Sequence, residues 1–260
     1  MEKHFCLDDS PFFRMIELGE VDSTNNFLRH LDTPGDRRMT LVTAEYQTAG
    51  RGADTNRWES ARGQNLLFSL RVMPASLPVR RMFAISEATA LAVRDSIGGG
   101  PGEAFTVKWP NDIYYGDSKV AGILIENDLQ GALVTRSTIG IGINVNQRQF
   151  LSDAPNPRSL ADIAGHDVER RFVLEKFMDC FTHRMQQIDR GEFEALHQEY
   201  LQHLYRLGQE HDYSDKDGTF RATITDVEPT GHLVLRDTGV ALRRYAFKEV
   251  KMIPIINLNS

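Results

Sequence analysis

Apolar and polar positions follow two rhythms along this chain, and the points where the rhythm changes outline a fold. A period of two marks strands and a period near 3.6 marks helices. Residues 12–18, 39–44 and 66–72 read as strands. Between the first two, Asp22, Ser23 and Thr24 are residue types that accept hydrogen bonds from the first amides of a helix, so a short helix is predicted over 22–31. Residues 80–97 carry Phe83, Ala84, Leu91, Val93 and Ile97 among alanines and run into a glycine-rich stop, the pattern of a helix. Residues 105–115 and 118–127 read as two strands joined by a tight turn at Gly116-Asp117, and 133–146 continues the sheet. Hairpin-like connections in succession predict an antiparallel or mixed sheet rather than a parallel one.

Residues 151–169, with Pro155 and Pro157, read as loop. From 170 the period lengthens: Val173, Phe177, Phe181 and Met185, with Leu174, Met178 and Ile188, form one apolar helical stripe, and a second helix is predicted from Glu192 to Leu204. After Leu207-Gly208 short alternating strands return, with turns at Asp217-Gly218, Thr230-Gly231 and Thr238-Gly239, the pattern of a small β-barrel. The expected organisation is therefore a larger domain over 1–206 and a small β domain over 207–260.

Composition narrows the class. The chain has 260 residues, 41% of them hydrophobic and 25% charged, an ordinary soluble globular balance. Its net charge of −6 argues against non-specific nucleic-acid binding. Cys6 and Cys180 lie far apart without metal-ligand spacing, and two free thiols in a reducing compartment is a simpler reading than a disulfide. The amino terminus has no secretory pattern, and no apolar run approaches the roughly 20 residues that span a bilayer. The expectation is a cytoplasmic protein that binds neither DNA nor membrane.

Three stretches break the packing rhythm. Residues 45–60, "EYQTAGRGADTNRWES", form a long polar segment between strands. Its glycines permit close backbone approach, and its arginines suit phosphate or carboxylate, yet a solvated loop reads the same way. Lys108 and Lys119 flank the hairpin that holds Asn111 and Asp112. Such lysines are commonly snorkelling surface groups; as a pair they would neutralise an anion, with Asp112 fixing their positions or holding Mg²⁺. Gly140 and Gly142 in "GIGINVN" imply close approach by a ligand or by another backbone, and Asn144 and Asn146 are expected to share a face.

Together, "EVDSTNNFL", "AEYQTAGRG…W", "VKWPNDIYY", "KVAGILIE" and "GIGINVN", in this order, resemble the biotin–protein ligase family over about residues 16 to 146. The resemblance implies an α+β fold: a mixed, largely antiparallel sheet backed by helices, like the class II synthetase core, plus a C-terminal SH3-like β-barrel. It implies ATP, biotin and Mg²⁺ as reactants, biotinyl-5′-AMP as intermediate, and the biotin carboxyl carrier protein domain of a carboxylase as acceptor, docking at a sheet edge. Homodimers occur in the family. By matching positions, Ser23, Thr24 and Asn25 would meet biotin's ring system. Gln47, Gly50, Arg51 and Gly52 would form the closing loop, with Arg51 the phosphate clamp. Lys119 would bridge carboxylate and α-phosphate, making Lys119 and Arg51 the catalytic pair. Gly122, Leu124 and Gly142 would line the pocket. Trp58, Lys108, Asn111 and Asn144 would serve the nucleotide, and Asp112 would be the Mg²⁺ ligand.

One departure stands out. Many members carry a second loop arginine two positions after the first, and this chain has Ala53 there, with Thr55 in place of a glycine. Faster leakage of the adenylate is the expected consequence. With "EVDSTN" beginning at residue 20, no N-terminal DNA-binding domain is expected. The rival readings are a lipoate–protein ligase, which the "KWPND" stretch and the C-terminal barrel disfavour, and a non-catalytic biotin-binding module, which retention of Arg51 and Lys119 disfavours.

Overall fold

The computed structural model describes residues 13–32, 35–53, 56–98, 104–151 and 156–253. Its larger sheet contains β1 (Phe13–Leu18), β2 (Met39–Ala44), β3 (Leu66–Val72), β4 (Leu77–Pro78), β5 (Phe105–Lys108), β6 (Asp112–Tyr115), β7 (Ser118–Gln130) and β8 (Leu133–Ile143). The strand order is β1-β2-β3-β8-β7-β6-β5, with β4 also on β8. Only β1 and β2 are parallel within that path. The mixed, largely antiparallel expectation holds. The stretch at 105–115 is two strands rather than one: the chain turns at Trp109-Pro110-Asn111, because proline has no N–H to give a ladder.

The helices are α1 (Thr24–His30), α2 (Phe83–Ser96), α3 (Leu160–Ala164), α4 (Arg170–Asp189) and α5 (Phe193–Gln202). The apolar stripe of α4 is buried as its spacing predicts. Phe68 meets Phe177 of α4 with ring centroids 5.0 Å apart, while its neighbour Ser69 meets α1. Successive strand residues face opposite sides, so β3 is covered on both faces and all seven of its residues are buried. That leaves α1 on one face of the sheet and α4 on the other. Helix α3 lies in a segment read as loop; a Ser159–Asp162 capping box starts it and Gly165 ends it in the left-handed conformation.

The second sheet runs β12-β11-β10-β9-β13, from β9 (Glu210–Asp215), β10 (Gly218–Val227), β11 (Leu233–Asp237), β12 (Leu242–Tyr245) and β13 (Lys251–Met252). All its pairings are antiparallel. It begins three residues after the Leu207-Gly208 break. It packs on the first unit through a shared core that includes Phe83, Val107, Leu204, Tyr213 and Ile224. Trp109 Nε1 donates to the Gly231 carbonyl at 3.0 Å, and Phe83 lies where a Gly231 side chain would begin. No helix among the described residues is long and apolar enough to cross a membrane.

Candidate active site

A cleft of about 900 Å³ opens between α1, the segment after β2, the β5–β8 strands and the C-terminal sheet. Its floor is glycine. Across the sheet, Gly122 pairs with Asp112 on one side and Gly142 on the other, while Gly140 pairs with Leu124 and Ser69. A methyl at Gly142 would lie 2.3 Å from Trp58 Cε2, and one at Gly122 would lie 2.8 Å from Trp58 Cζ3. The Trp58 indole therefore lies flat on the floor, where only glycine gives it room. Its Nε1 is buried without a hydrogen-bond partner. The close approach inferred from Gly142 is real, and in this structure the approaching group is Trp58.

One end of the cleft is polar and built from buried residues. Ser23, Thr24, Asn25 and Ser69 are each at most 3% exposed. Gln47 Oε1 accepts from the Thr24 amide at 2.7 Å and from its hydroxyl at 3.1 Å. Ser69 Oγ lies 2.7 Å from Thr24 Oγ1 and 2.6 Å from Asn25 Oδ1. Gly140 must lack a side chain here too, since a methyl would sit 2.4 Å from Asn25 Oδ1. Ser23 holds the N-cap position of α1, yet its hydroxyl makes no capping bond. A residue type chosen for caps that does not cap, at the lip of a cleft, is free to bond a ligand.

The charged groups sit at the middle. Lys119 Nζ donates to Asp112 Oδ1 at 2.7 Å and stands 5.7 Å from the Trp58 ring centroid. Lys108 is separate from this pair: its ammonium donates to Tyr114 Oη at 3.1 Å, and burial lowers its pKa from the usual lysine value. Asn111 donates to the Ile123 carbonyl at 2.5 Å and so ties the turn after β5 to β7. The sequence leaves Asp112 either as a Mg²⁺ ligand or as the group that fixes the lysines. Its carboxylate is taken by Lys119, and among the described residues no group of three or more His, Cys, Asp or Glu side chains is placed to hold a metal. Of the two roles open to Asp112, fixing the lysine is the one the geometry supports.

The loop after β2 folds on itself as a narrow hairpin. The Gly52 amide donates to the Asn56 carbonyl at 2.8 Å, and the Trp58 amide to that of Gly50 at 3.0 Å. A methyl at Gly50 would lie 2.6 Å from the Trp58 carbonyl oxygen, so Gly50 serves the loop's own closure and does not line the cleft. Gly52, Ala53, Asn56 and Arg57 do line it. Arg51 is engaged by a group absent from the sequence reading: it makes a two-pronged pair with Glu126 of β7, at 3.0 and 3.1 Å.

Asn144 and Asn146 lie just past a strand end. Strand β8 ends at Ile143, so the period of two does not extend to Asn144 and Asn146. Asn144 lies outside the cleft lining; its amide donates to the Lys119 and Arg158 carbonyls at 3.5 and 3.4 Å, and Asn146 donates to that of Val168. Asn144 thus braces the backbone that carries Lys119. Ser69 and Glu126 were missed because each falls inside a strand that reads as core.

A glycine-floored cleft with a polar buried end, a lysine–carboxylate pair at its centre and a folded loop above it suits a ligand with a polar head and an anionic group. The Biotin/lipoate A/B protein ligase family model matches residues 18–144. The chain is 29% identical over 237 residues to the bifunctional ligase/repressor BirA of Bacillus subtilis, spanning 89% of this chain and 72% of that one. It is also 29% identical over 225 residues to the biotin–[acetyl-CoA-carboxylase] ligase of Paracoccus denitrificans, spanning 84% and 92%. The solved biotin protein ligase from Aquifex aeolicus in complex with biotin and ATP matches with a TM-score of 0.72 at 26% identity, over 92% of this chain and 98% of that one.

Proposed function

We propose that this protein is an ATP-dependent biotin–protein ligase. Biotin's carboxylate oxygen attacks the α-phosphorus of ATP, the bond to the β-phosphate breaks, and pyrophosphate leaves. The ε-amine of an acceptor lysine then attacks the acyl carbon of biotinyl-5′-AMP, and AMP leaves as the new amide forms. The observation that carries this reading is the placement of Lys119. It is the ammonium next to the glycine floor, held by Asp112, where two anions must meet. A preorganised cation acts most strongly in a site from which water is excluded. Mg²⁺ would enter with the ATP phosphates, which supply hard oxygen ligands for it.

The polar end favours biotin over lipoate. A ureido ring offers two N–H donors and a carbonyl acceptor to Ser23, Thr24, Asn25 and Gln47, whereas a dithiolane offers none, and a buried polar site rejects a partner that leaves it unpaired. The acceptor would be the biotin carboxyl carrier protein domain of a biotin-dependent carboxylase. The chain divides functionally at about residue 206, with the C-terminal sheet closing the cleft. Arg51 keeps its place as a phosphate-facing residue only by way of its loop, since its guanidinium is paired with Glu126.

The deciding experiment measures pyrophosphate release with ATP, Mg²⁺ and biotin, with lipoate in parallel. Release with biotin alone is expected, and Lys119→Ala should lower it about 10²- to 10³-fold. Biotin binding without release in the wild-type protein would move the binding-module reading to the front.

A further inference from the structure

Glu126 has an unusual set of partners for a strand residue. Its Oε1 accepts from Arg29 Nη1 at 2.9 Å and from Arg51 Nη2 at 3.0 Å. Its Oε2 accepts from Arg51 Nη1 and from Asn25 Nδ2, both at 3.1 Å. Four donor groups of three residues therefore converge on one carboxylate: Asn25 and Arg29 from the two ends of α1, and Arg51 from the closing loop. Burial alone would raise the Glu126 pKa, but these bonds outweigh it and hold the carboxyl below its usual range. It is charged whenever the enzyme works.

Two consequences follow from this geometry. First, among the described residues of the loop, 50–53 and 56–58, Trp58 is the one large apolar anchor, and the Arg51–Glu126 pair is their charged tether to the sheet. Second, Asn25 is oriented from both sides, by Ser69 at its carbonyl and by Glu126 at its amide. A ligand that rearranges Asn25 changes the seat of Glu126, and with it the tether.

Resting on the ligase reading above, we propose that Glu126 is a positioning residue: a latch that holds the loop shut over the bound acyl-adenylate and links that closure to occupancy of the polar end. Arg51 acts through Glu126 as a strut, and the loop backbone, not the Arg51 guanidinium, covers the phosphate. With Ala53 in place of a second arginine, retention of the intermediate depends on this one carboxylate.

The test compares wild type, Glu126→Gln and Glu126→Asp in two readouts. The first is the rate at which biotinyl-5′-AMP, formed in a single turnover without acceptor, leaves the protein. The Gln variant should release it faster by up to about fivefold, the worth of one well-placed ion pair, with the Asp variant between. The second needs no chemistry: trypsin cleavage at exposed Arg57 in the protein without ligand should be faster in Glu126→Gln. Protection in the wild type should fall with salt, while in the Gln variant it should be salt-independent. If Glu126→Gln fails to fold, Arg51→Gln breaks the same pair from the loop side and is read the same way. Unchanged release, or faster release with unchanged cleavage, would overturn the latch. Absence of any pyrophosphate release in the wild type would sink the ligase reading, while the cleavage arm would still judge the latch.

Discussion

The polar end of the cleft and the loop above it are made in opposite ways. The end is assembled from α1 and β3, its four residues are nearly inaccessible, and its bonds run between secondary-structure elements. The loop is a short hairpin in which Arg51, Asn56 and Arg57 are exposed, and its described residues meet the sheet through the Trp58 indole and the Arg51–Glu126 pair. Fixed, desolvated polar groups discriminate between ligands, because an unpaired partner there costs the full desolvation penalty. A loop held by partly exposed charges has an opening cost small enough to let ligands pass. Selection and retention therefore rest on different groups that meet at Asn25, and mutations away from that residue should split most of each.

The largest break should come at the floor. Gly142→Ala places a methyl against Trp58, and overpacking of this kind costs about 1–3 kcal/mol. Most of that should fall on loop closure, because the indole belongs to the loop and β8 is otherwise untouched. The expected outcome is a loss of biotin-dependent pyrophosphate release of about 5- to 150-fold, with the thermal midpoint little changed. A large fall in the midpoint would show that the floor, not the loop, had absorbed the strain.

Ser69→Ala sharpens the other side. It removes the hydroxyl that Thr24 and Asn25 share and leaves their oxygens facing a gap, a change worth about 1–3 kcal/mol. Biotin affinity, read by calorimetry, should fall about 5- to 150-fold. Trypsin cleavage in the loop should change far less than in Glu126→Gln, because Asn25 keeps its bond to Glu126 when Ser69 is lost. Cleavage as fast as in Glu126→Gln would mean that the two regions are not separable at this residue.

Much of this division was legible in the sequence, and the gaps have physical causes. The polar interruptions at 23–25, 45–60 and 108–112 stood out because a packing rhythm has no use for them, and the structure gathers most of them around one cleft. Ser69 and Glu126 did not stand out. A serine among Leu67, Phe68 and Leu70 and a glutamate after Ile125 fit an alternating strand, and only the sheet register shows which helix or loop lies opposite. Asn144 failed in the other direction. Its place two residues from Gly142 implied a shared face, but the strand had already ended. Helix α3 was hidden by the prolines before it, although Ser159 and Asp162 carry its capping signature.

Ala53→Arg should restore retention in part. Ala53 lines the cleft within the hairpin, so an arginine there adds a cation near the adenylate without disturbing Glu126. Release of biotinyl-5′-AMP should slow by a few-fold, within the roughly 1 kcal/mol range of a partly exposed charge pair. Equal release rates would place the leak elsewhere than in position 53.

The smallest effect concerns the remaining wall, the C-terminal sheet. His197 of α5 bridges it to the main unit, with Nδ1 2.7 Å from Glu87 Oε1 and Nε2 3.1 Å from Asp226 Oδ1. The charged groups around this bridge are Glu87, Asp226 and, acting on Glu87, Arg81. The Glu87 hydrogen bond raises the His197 pKa above its usual value against the opposing effect of burial. Burial raises that of Glu87, against the pull of His197. Both groups thus bind protons more tightly in the folded protein than in the unfolded chain. For His197, the resulting stability is fully present below about pH 6.5, its unfolded value, and is lost as pH rises through the higher folded value; the Glu87 contribution is lost in the same direction from lower pH. Urea midpoints should therefore decline as pH rises above about 6.5, and His197→Gln should flatten that slope. The latch predicts no such slope in tryptic protection of the loop, because Glu126 stays ionised throughout that range. A common pH profile for the midpoint and the loop would mean that the C-terminal sheet and the loop open together, and that the cleft has one moving wall rather than two.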